Sequence, residues 1–410
     1  MAISPEDAQR RRAMRAKQRE KRKQMQKKLI KRIALAAGIL LAVILTIVII
    51  SSLIRNRRPK ATDPSQLTTI HLAAAGDLNV NNRIVEAGGG DLDYSGLFMD
   101  VAHLLADADI SVVNLEGTVS GEPYGDSKSV PVSMMQALSD AGVDLVQLAN
   151  SYSIYRGVSG LATTIDNVRA MGMEPLGVYQ NNQEAKKSGG YTICEVKGVR
   201  VAFVAFTKGM DGMALPEGSE NCVNLLYTDY SSTYQEINEE GITQVLENVR
   251  KEKPDITVAM LHWGSEFNDT QSASQQEIMG IMHENGVNVI LGTHSHYVHQ
   301  MIHDPEKNIF VAYSLGDFVS DSMRPGTEYS VILNLEITKN NATGATTVTG
   351  FDYTPIYTVT EEGKPVRIMR IRETMNAYDG NYIGKVSDAT YQGMTYALQR
   401  IDYRIKGDEE

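Results

Sequence analysis

Three histidines of this 410-residue chain, His262, His294 and His296, have the type and placement to do chemistry. Asp255-Ile-Thr-Val-Ala-Met-Leu runs directly into His262, and Val287-Asn-Val-Ile-Leu-Gly-Thr into His294-Ser-His296, so each imidazole ends an apolar segment that reads as a buried strand. Six of the eight histidines fall between His262 and His303. Two neutral imidazoles separated by one residue, just past a glycine, can be turned by a tight loop toward a single cation. Polar residues close other apolar runs in the same manner: Gly76-Asp77-Leu-Asn79, Asn114-Leu-Glu116-Gly and Asn150-Ser-Tyr152. The carboxyl ends of strands are where open α/β sheets gather ligands. Asp77, Glu116, Asn150, His262, His294 and His296 therefore form a candidate metal set of oxygens and nitrogens without thiolate. Such a set suits a divalent ion such as Mn, Fe or Zn, or two ions bridged by a shared carboxylate. A single strand-end Asp is more often a cap or turn former, and the signal lies in the recurrence.

The segments that must position these groups alternate between two periods. Buried strands are expected near 69–75, 110–114, 145–149, 199–207, 256–261, 287–291 and 309–313, and apolar residues at helical spacing mark 97–108, 133–141, 159–171, 234–251 and 275–285. This alternation predicts an α/β domain over 69–340. Residues 331–338 and 346–357 alternate as strands that close the sheet, and a C-terminal β/α extension, 341–410, completes the domain with a hairpin and a final amphipathic helix. Trp263 reads as packing beside the site. His71 falls within a strand and His103 and His283 on helices, in core or surface roles. His299 and His303 follow the paired histidines without a chemical assignment.

The first 60 residues differ in kind. Thirteen Lys and Arg lie between Arg10 and Arg32, and residues 33–54 then carry no charge. At about 1.5 Å per residue those 22 residues reach roughly 33 Å, enough to cross a hydrocarbon core of about 30 Å. The reading is a basic cytoplasmic tail at 1–32, an uncleaved transmembrane helix at 33–54 and a linker at 55–68. Thirteen basic residues before the span against four just after it predict a single-pass cell-membrane protein with a cytoplasmic N-terminus and an extracellular C-terminal domain. Beyond residue 60 the chain holds 23 basic and 47 acidic side chains, a net charge of −24, which argues against a nucleic-acid partner. Cys194 and Cys222 are the only cysteines, so a thiolate metal site is excluded, whereas one disulfide or two free thiols both remain open.

Six ordered motifs over about 69–320 resemble the CapA family of capsule biosynthesis proteins, which is related to calcineurin-like metallophosphatases. They are Gly76-Asp77, Asn114-Leu-Glu116-Gly, Leu148-Ala-Asn150, His262-Trp-Gly-Ser-Glu266, Gly292-Thr-His294-Ser-His296 and Tyr313-Ser-Leu-Gly-Asp317-Phe318. The resemblance implies a metallophosphatase-like two-sheet sandwich flanked by helices. It places Asp77, Glu116, His262, His294 and His296 at metal-ligand positions, with Glu116 as the bridging carboxylate. It also implies handling of an anionic capsule polymer of the poly-γ-glutamate type, beside capsule synthase or export subunits in the membrane. The alternative is an active metal-dependent hydrolase, phosphoesterase or amide hydrolase, at the cell surface, with His262 and Tyr152 as catalytic groups. The third motif departs from the family's Asn-Asn-His: Ser151 stands in the place of a ligand Asn, and Tyr152 in that of the proton-donating His. A tyrosine of pKa about 10 is a reluctant acid near neutral pH, so the exchange predicts a site that holds metal without efficient turnover. Asp317 replaces a usual Asn, with no role assigned to it.

Overall fold

The computed structural model describes residues 67–320, 323–382 and 385–407. The basic tail, the transmembrane helix at 33–54 and most of the linker lie outside the described residues. Among the described residues no helix is long and apolar enough to cross a membrane.

Among the described residues, fourteen strands form two sheets. In chain order they are β1 (Leu67–Leu78), β2 (Ile110–Leu115), β3 (Leu145–Gln147), β4 (Glu174–Leu176), β5 (Tyr191–Val196), β6 (Val199–Thr207), β7 (Ile256–His262), β8 (Val289–Thr293), β9 (Met301–Asp304), β10 (Ile309–Ala312), β11 (Asp317–Val319), β12 (Tyr329–Asn340), β13 (Thr346–Val359) and β14 (Arg367–Arg370). The first sheet runs β14-β13-β12-β1-β2-β3-β4, with β11 also pairing β1, and the second runs β5-β6-β7-β8-β10-β9. Strands β1 to β4 are mutually parallel, as are β6, β7, β8 and β10, so each sheet gathers several carboxyl ends along one edge.

Side-chain alternation makes the layers. On β1, Ile70, Leu72 and Ala74 pack with Val201, Phe203 and Ala205 of β6 and Val258 and Met260 of β7, in a core between the sheets. The intervening residues Ala73 and Ala75 turn outward onto a second core with Leu138, Leu161 and Ile165, from the helices Val132–Asp140 and Gly157–Ala170. On the second sheet, Ala202, Val204 and Phe206 face a third core with Leu246 and Ile278, from the helices Glu239–Glu252 and Ala273–Glu284. Both faces of the central strands are thus covered, which is why they read as continuous apolar runs. Full burial of each Val, Leu, Ile or Phe contributes about 1.5–3 kcal/mol, so the sandwich supplies the rigidity on which the loops depend.

The two-sheet α/β sandwich with flanking helices is the fold expected. The expected helix at 97–108 is confined to Ala102–Ala106, and the one at 234–251 begins only at Glu239, behind the Asn238 cap. Strands β4, β5, β9 and β11 were not foreseen. At three to six residues they are too short for a period to register, and pairing with longer neighbours creates them. β13 and β14 pair antiparallel as a hairpin across residues 360–366, and two helices follow, Ile371–Asp379 and the final Asp388–Lys406. Cys194 and Cys222 are both free thiols. His71 lies in β1, and His103 and His283 lie on helices. Trp263 is fully buried, stacks on Tyr313 and donates from Nε1 to the Tyr313 carbonyl at 3.0 Å.

Glu361, two residues past β13, ties that strand to the last helix. It accepts from Lys364 Nζ at 2.5 Å, Thr390 Oγ1 at 2.6 Å and the Ser387 N–H at 2.7 Å. Partial burial opposes ionisation, but these donors outweigh it and hold the Glu361 carboxyl down at about 2. A carboxyl depressed in the folded state stabilises above its unfolded pKa of about 4.3, and that contribution is lost as pH falls through the folded value. Glu361→Gln should lower stability near neutral pH by on the order of 1 kcal/mol, discounted for solvent screening, and flatten the acid limb between pH 4.5 and 2. Urea denaturation across that range checks it; parallel wild-type and variant curves would dismiss the tie.

Candidate metal centre

The chemistry sits where carboxyl ends from the two sheets meet. Asp77 is near the end of β1, and in register it faces Asn114 of β2 on one side and Asp317 of β11 on the other. Glu116 follows β2 directly, His262 is the last residue of β7, and His294 follows β8, which pairs His262 with Thr293. Close backbone approach permits this convergence. A Cβ on Gly76 would meet the Gly316 carbonyl oxygen at 1.8 Å, and one on Gly292 the Tyr313 carbonyl oxygen at 2.1 Å, so these motif glycines admit no side chain. His294 and His296 both take positive φ, 89° and 63°, which is strained for a non-glycine residue and turns both rings into the seam.

Two groups of donor atoms result, each within 4.8 Å of one another: Glu116, His262 and His294, and beside them Asp77, His296 and Asp317. All six residues are buried. His262 Nδ1 lies 3.0 Å from Thr293 Oγ1, so Nε2 faces inward, 3.0 Å from Ser151 Oγ and 3.4 Å from Glu116 Oε1. Asp77 accepts from Asn114 Nδ2 at 2.5 Å and from the His294 backbone N–H at 2.8 Å. His296 Nδ1 is 2.8 Å from Asp317 Oδ1 and 3.2 Å from Asn79 Nδ2. Phe267 covers its ring at 4.8 Å.

The electrostatics describe excess buried negative charge. Burial and then Glu116 push the Asp77 carboxyl well above its ordinary range, and burial lifts Asp317 to about 6. Burial opposes a charge on His296, but Asp317 and Glu116 outweigh it and raise the imidazole well above its usual value. Burial likewise works against ionised Glu116, yet His296 and His262 prevail and hold it low. Burial lowers His262, and burial together with His262 lowers His294 further, so both imidazoles are neutral. Neither Glu116 oxygen has a hydrogen-bond partner. His262 at 3.4 Å and His296 at 3.8 Å offset part of the cost of burying this carboxylate, and its unbonded oxygens beside two neutral imidazoles make a donor set that a divalent ion can use. The donor set therefore fits a metal, held by Glu116, His262 and His294, with a second position at Asp77, His296 and Asp317. When bound, a divalent ion supplies Lewis acidity and charge neutralisation at that point.

Five of the six sequence-predicted ligands thus converge. Asn150 does not join them: its Oδ1 accepts from the Tyr152 N–H at 2.9 Å and its Nδ2 donates to the Leu115 carbonyl, so its amide shapes the loop instead. Ser151 is the group from this loop that reaches the ligands, its Oγ lying 3.5 Å from His294 Nδ1 as well as against His262. His262, the first candidate catalytic group, is fully buried among ligand atoms. Tyr152, the second, lines the cavity outside them, where burial and then Glu116 raise its pKa, so the hydroxyl keeps its proton. Asp317 is the ligand that sequence reasoning left unassigned. Its signal is the Gly316-Asp317 dipeptide, a repeat of Gly76-Asp77, and β11 sets the two Asp side by side. A cavity of about 310 Å³ opens on this floor, lined by Ser151, Tyr152, Lys208, Gly209, Asp211, Tyr234, Ser265, Glu266 and His294.

Asp317→Asn should leave the fold intact, because β11 pairs through its backbone, and weaken divalent metal binding about tenfold or more. Competition against a metallochromic chelator measures it, and wild-type affinity in the variant would remove Asp317 from the donor set.

The family model described as "Bacterial capsule synthesis protein PGA_cap" matches residues 71–322. The PGA biosynthesis protein CapA of Bacillus subtilis is 26% identical over 271 residues, 65% of this chain and 65% of that protein. The capsule biosynthesis protein CapA of Bacillus anthracis is 25% identical over 206 residues, 50% of this chain and 47% of that protein. The chain thus spans under two thirds of the length of either relative. Among solved structures, the calcineurin-like phosphoesterase YfkN from Bacillus subtilis aligns at 13% identity and a TM-score of 0.44, covering 82% of this chain and 97% of that one. The model match takes in all six donor residues, from Asp77 to Asp317, and more than half of the sequence: this chain belongs to the bacterial capsule synthesis protein family PGA_cap.

Proposed function

We propose that the chain is a membrane-anchored capsule biosynthesis or export protein. In this reading its extracellular domain holds divalent metal, Mn, Fe or Zn, and handles an anionic cell-surface polymer of the poly-γ-glutamate type. The observation that carries it is the pair of buried donor groups at the floor of an open cavity, in a chain of this family. Anchoring is supported by the uncharged run at 33–54 and the basic excess before it. Capsule synthase or export subunits in the same membrane are the natural partners. Metal offsets the repulsion between an acidic domain and an acidic polymer, and the ordered histidines keep it at the cavity floor.

The second reading, a metal-dependent hydrolase of phosphate esters or amides, is favoured by one feature: the ligand atoms of His294 and the hydroxyls of Ser151 and Tyr152 face a cavity large enough for a small group. Against fast turnover stands the acid. Tyr152 holds its proton more tightly than a free tyrosine, and fully buried His262 reaches the cavity only through the Ser151 hydroxyl.

Elemental analysis of the purified full chain should find about one to two equivalents of transition metal, falling sharply in His262→Ala and His294→Ala. A chain without metal would leave a binding scaffold alone. Deletion of the gene should deplete surface polymer, and re-expression of His294→Ala should restore less of it than the wild type; an unchanged surface polymer would remove the capsule role. Hydrolysis of aryl phosphates or γ-glutamyl amides at ordinary enzymatic rates would favour the second reading.

A further inference from the structure

Eleven non-glycine residues among those described take positive φ, and six of them stand at or beside the mouth of the metal centre: Lys128, Asp211, Tyr234, Phe267, His294 and His296. Left-handed backbone is unfavourable for side chains of this size and persists where the surroundings over-determine it. The two histidines belong to the donor groups. Of the other four, Lys128 supplies a cation, Tyr234 and Phe267 supply aromatic rings, and Asp211 lines the cavity.

Three cations are fixed there, each on the face of an aromatic ring. Lys128 Nζ lies 4.4 Å from the ring centre of Tyr152, Lys208 Nζ 4.6 Å from that of Tyr234, and Arg324 Cζ 3.7 Å from that of Phe267. Tyr152, Tyr234 and Lys208 line the cavity itself, and Phe267 stacks on His296, so every cation is within one ring of the cavity or a donor. None of the three forms an ion pair with a described carboxylate, although the chain beyond residue 60 has twice as many acidic as basic side chains. Lys208 gives one proton to the Gly264 carbonyl at 2.6 Å, which leaves two for a ligand. Asp211 and Glu266 line the same cavity, and the Glu266 charge favours a protonated Lys208, so the opening carries both signs and its cations stand among acids they partly offset.

We propose that Lys128, Lys208 and Arg324 form an anion-recognition rim around the metal centre, selecting a chain with repeated acidic groups. Lys208 takes an acidic group inside the cavity, and Lys128 and Arg324 take neighbouring groups of the same chain outside it. Rings beneath the cations keep them extended toward the ligand at little further entropic cost. Such a rim lets an acidic domain bind an acidic polymer, because at physiological ionic strength charges beyond about 8 Å are screened while contacts at the rim are not. The inference rests on the polymer reading above for its ligand, and its chemistry is shared by polycarboxylates and polyphosphates.

The test uses the full chain in detergent at saturating Mn²⁺, with fluorescence anisotropy of labelled poly-γ-glutamate in one arm and inorganic polyphosphate in the other. Lys128→Gln, Lys208→Gln and Arg324→Gln should each weaken binding about fivefold to tenfold and the triple variant about a hundredfold, with a shallower salt dependence. Manganese stoichiometry should stay at the wild-type value, and Lys208→Arg should recover most of the Lys208→Gln loss. A triple variant that binds poly-γ-glutamate like the wild type overturns the rim and leaves the polymer reading standing. Polyphosphate bound through the three cations while poly-γ-glutamate is refused keeps the rim and overturns the polymer. No binding of either chain by the wild type overturns both.

Discussion

Three carboxylates, Asp77, Glu116 and Asp317, are held together at a seam that water does not reach, and the arrangement of the domain follows from that constraint. Each buried charge forfeits hydration worth several kcal/mol, and like charges a few ångströms apart add to the cost. Part of the offset is built in. The Asn114 amide and the His294 N–H serve Asp77, and His296 stands between Asp317 and Glu116. The oxygens of Glu116 remain without a hydrogen bond, and that residual, facing two neutral imidazoles, is compatible with a divalent cation.

Rigidity elsewhere makes this concentration tolerable. The seam joins two sheets whose central strands are covered on both faces, and its loops cannot relax without opening one of three cores. Glycines at 76 and 292 let backbones approach more closely than any side chain allows. The left-handed histidines convert that close approach into ligand direction. Strain and like-charge repulsion therefore occupy the same few residues, opposed by packing distributed over the whole sandwich.

Chemistry at the cavity is correspondingly lopsided. The floor is rich in donors for a metal, while the wall offers serine and tyrosine hydroxyls that part with protons only reluctantly. The chain that carries it belongs to a capsule synthesis family. The chain beyond residue 60 is acidic overall, yet Lys128, Lys208 and Arg324 lie at or next to a cavity that Asp211 and Glu266 also line, a distribution that composition alone cannot express.

Sequence by itself determined the layers and most of the donor residues that the fold brings together. Apolar runs such as 199–207 and 256–261 announce strands covered on both faces, and Asp77, Glu116, His262, His294 and His296 stand out because each interrupts such a run at its carboxyl end. The same reasoning took Asn150 for a ligand, since nothing local shows that its amide is consumed by the Leu115 carbonyl and the Tyr152 N–H. Only the tertiary structure decided that Ser151 reaches the histidines, that Asp317 joins Asp77 through the short strand β11, and that Lys128, Lys208 and Arg324 each lie over an aromatic ring that lines the cavity or stacks on a donor histidine. Periodicity reports which face of an element is buried, because burial is a property of neighbouring residues along one strand or helix. Which side chains share a cavity depends on strand order, register and loop geometry, and those are set by contacts between residues as far apart as Asp77 and Asp317.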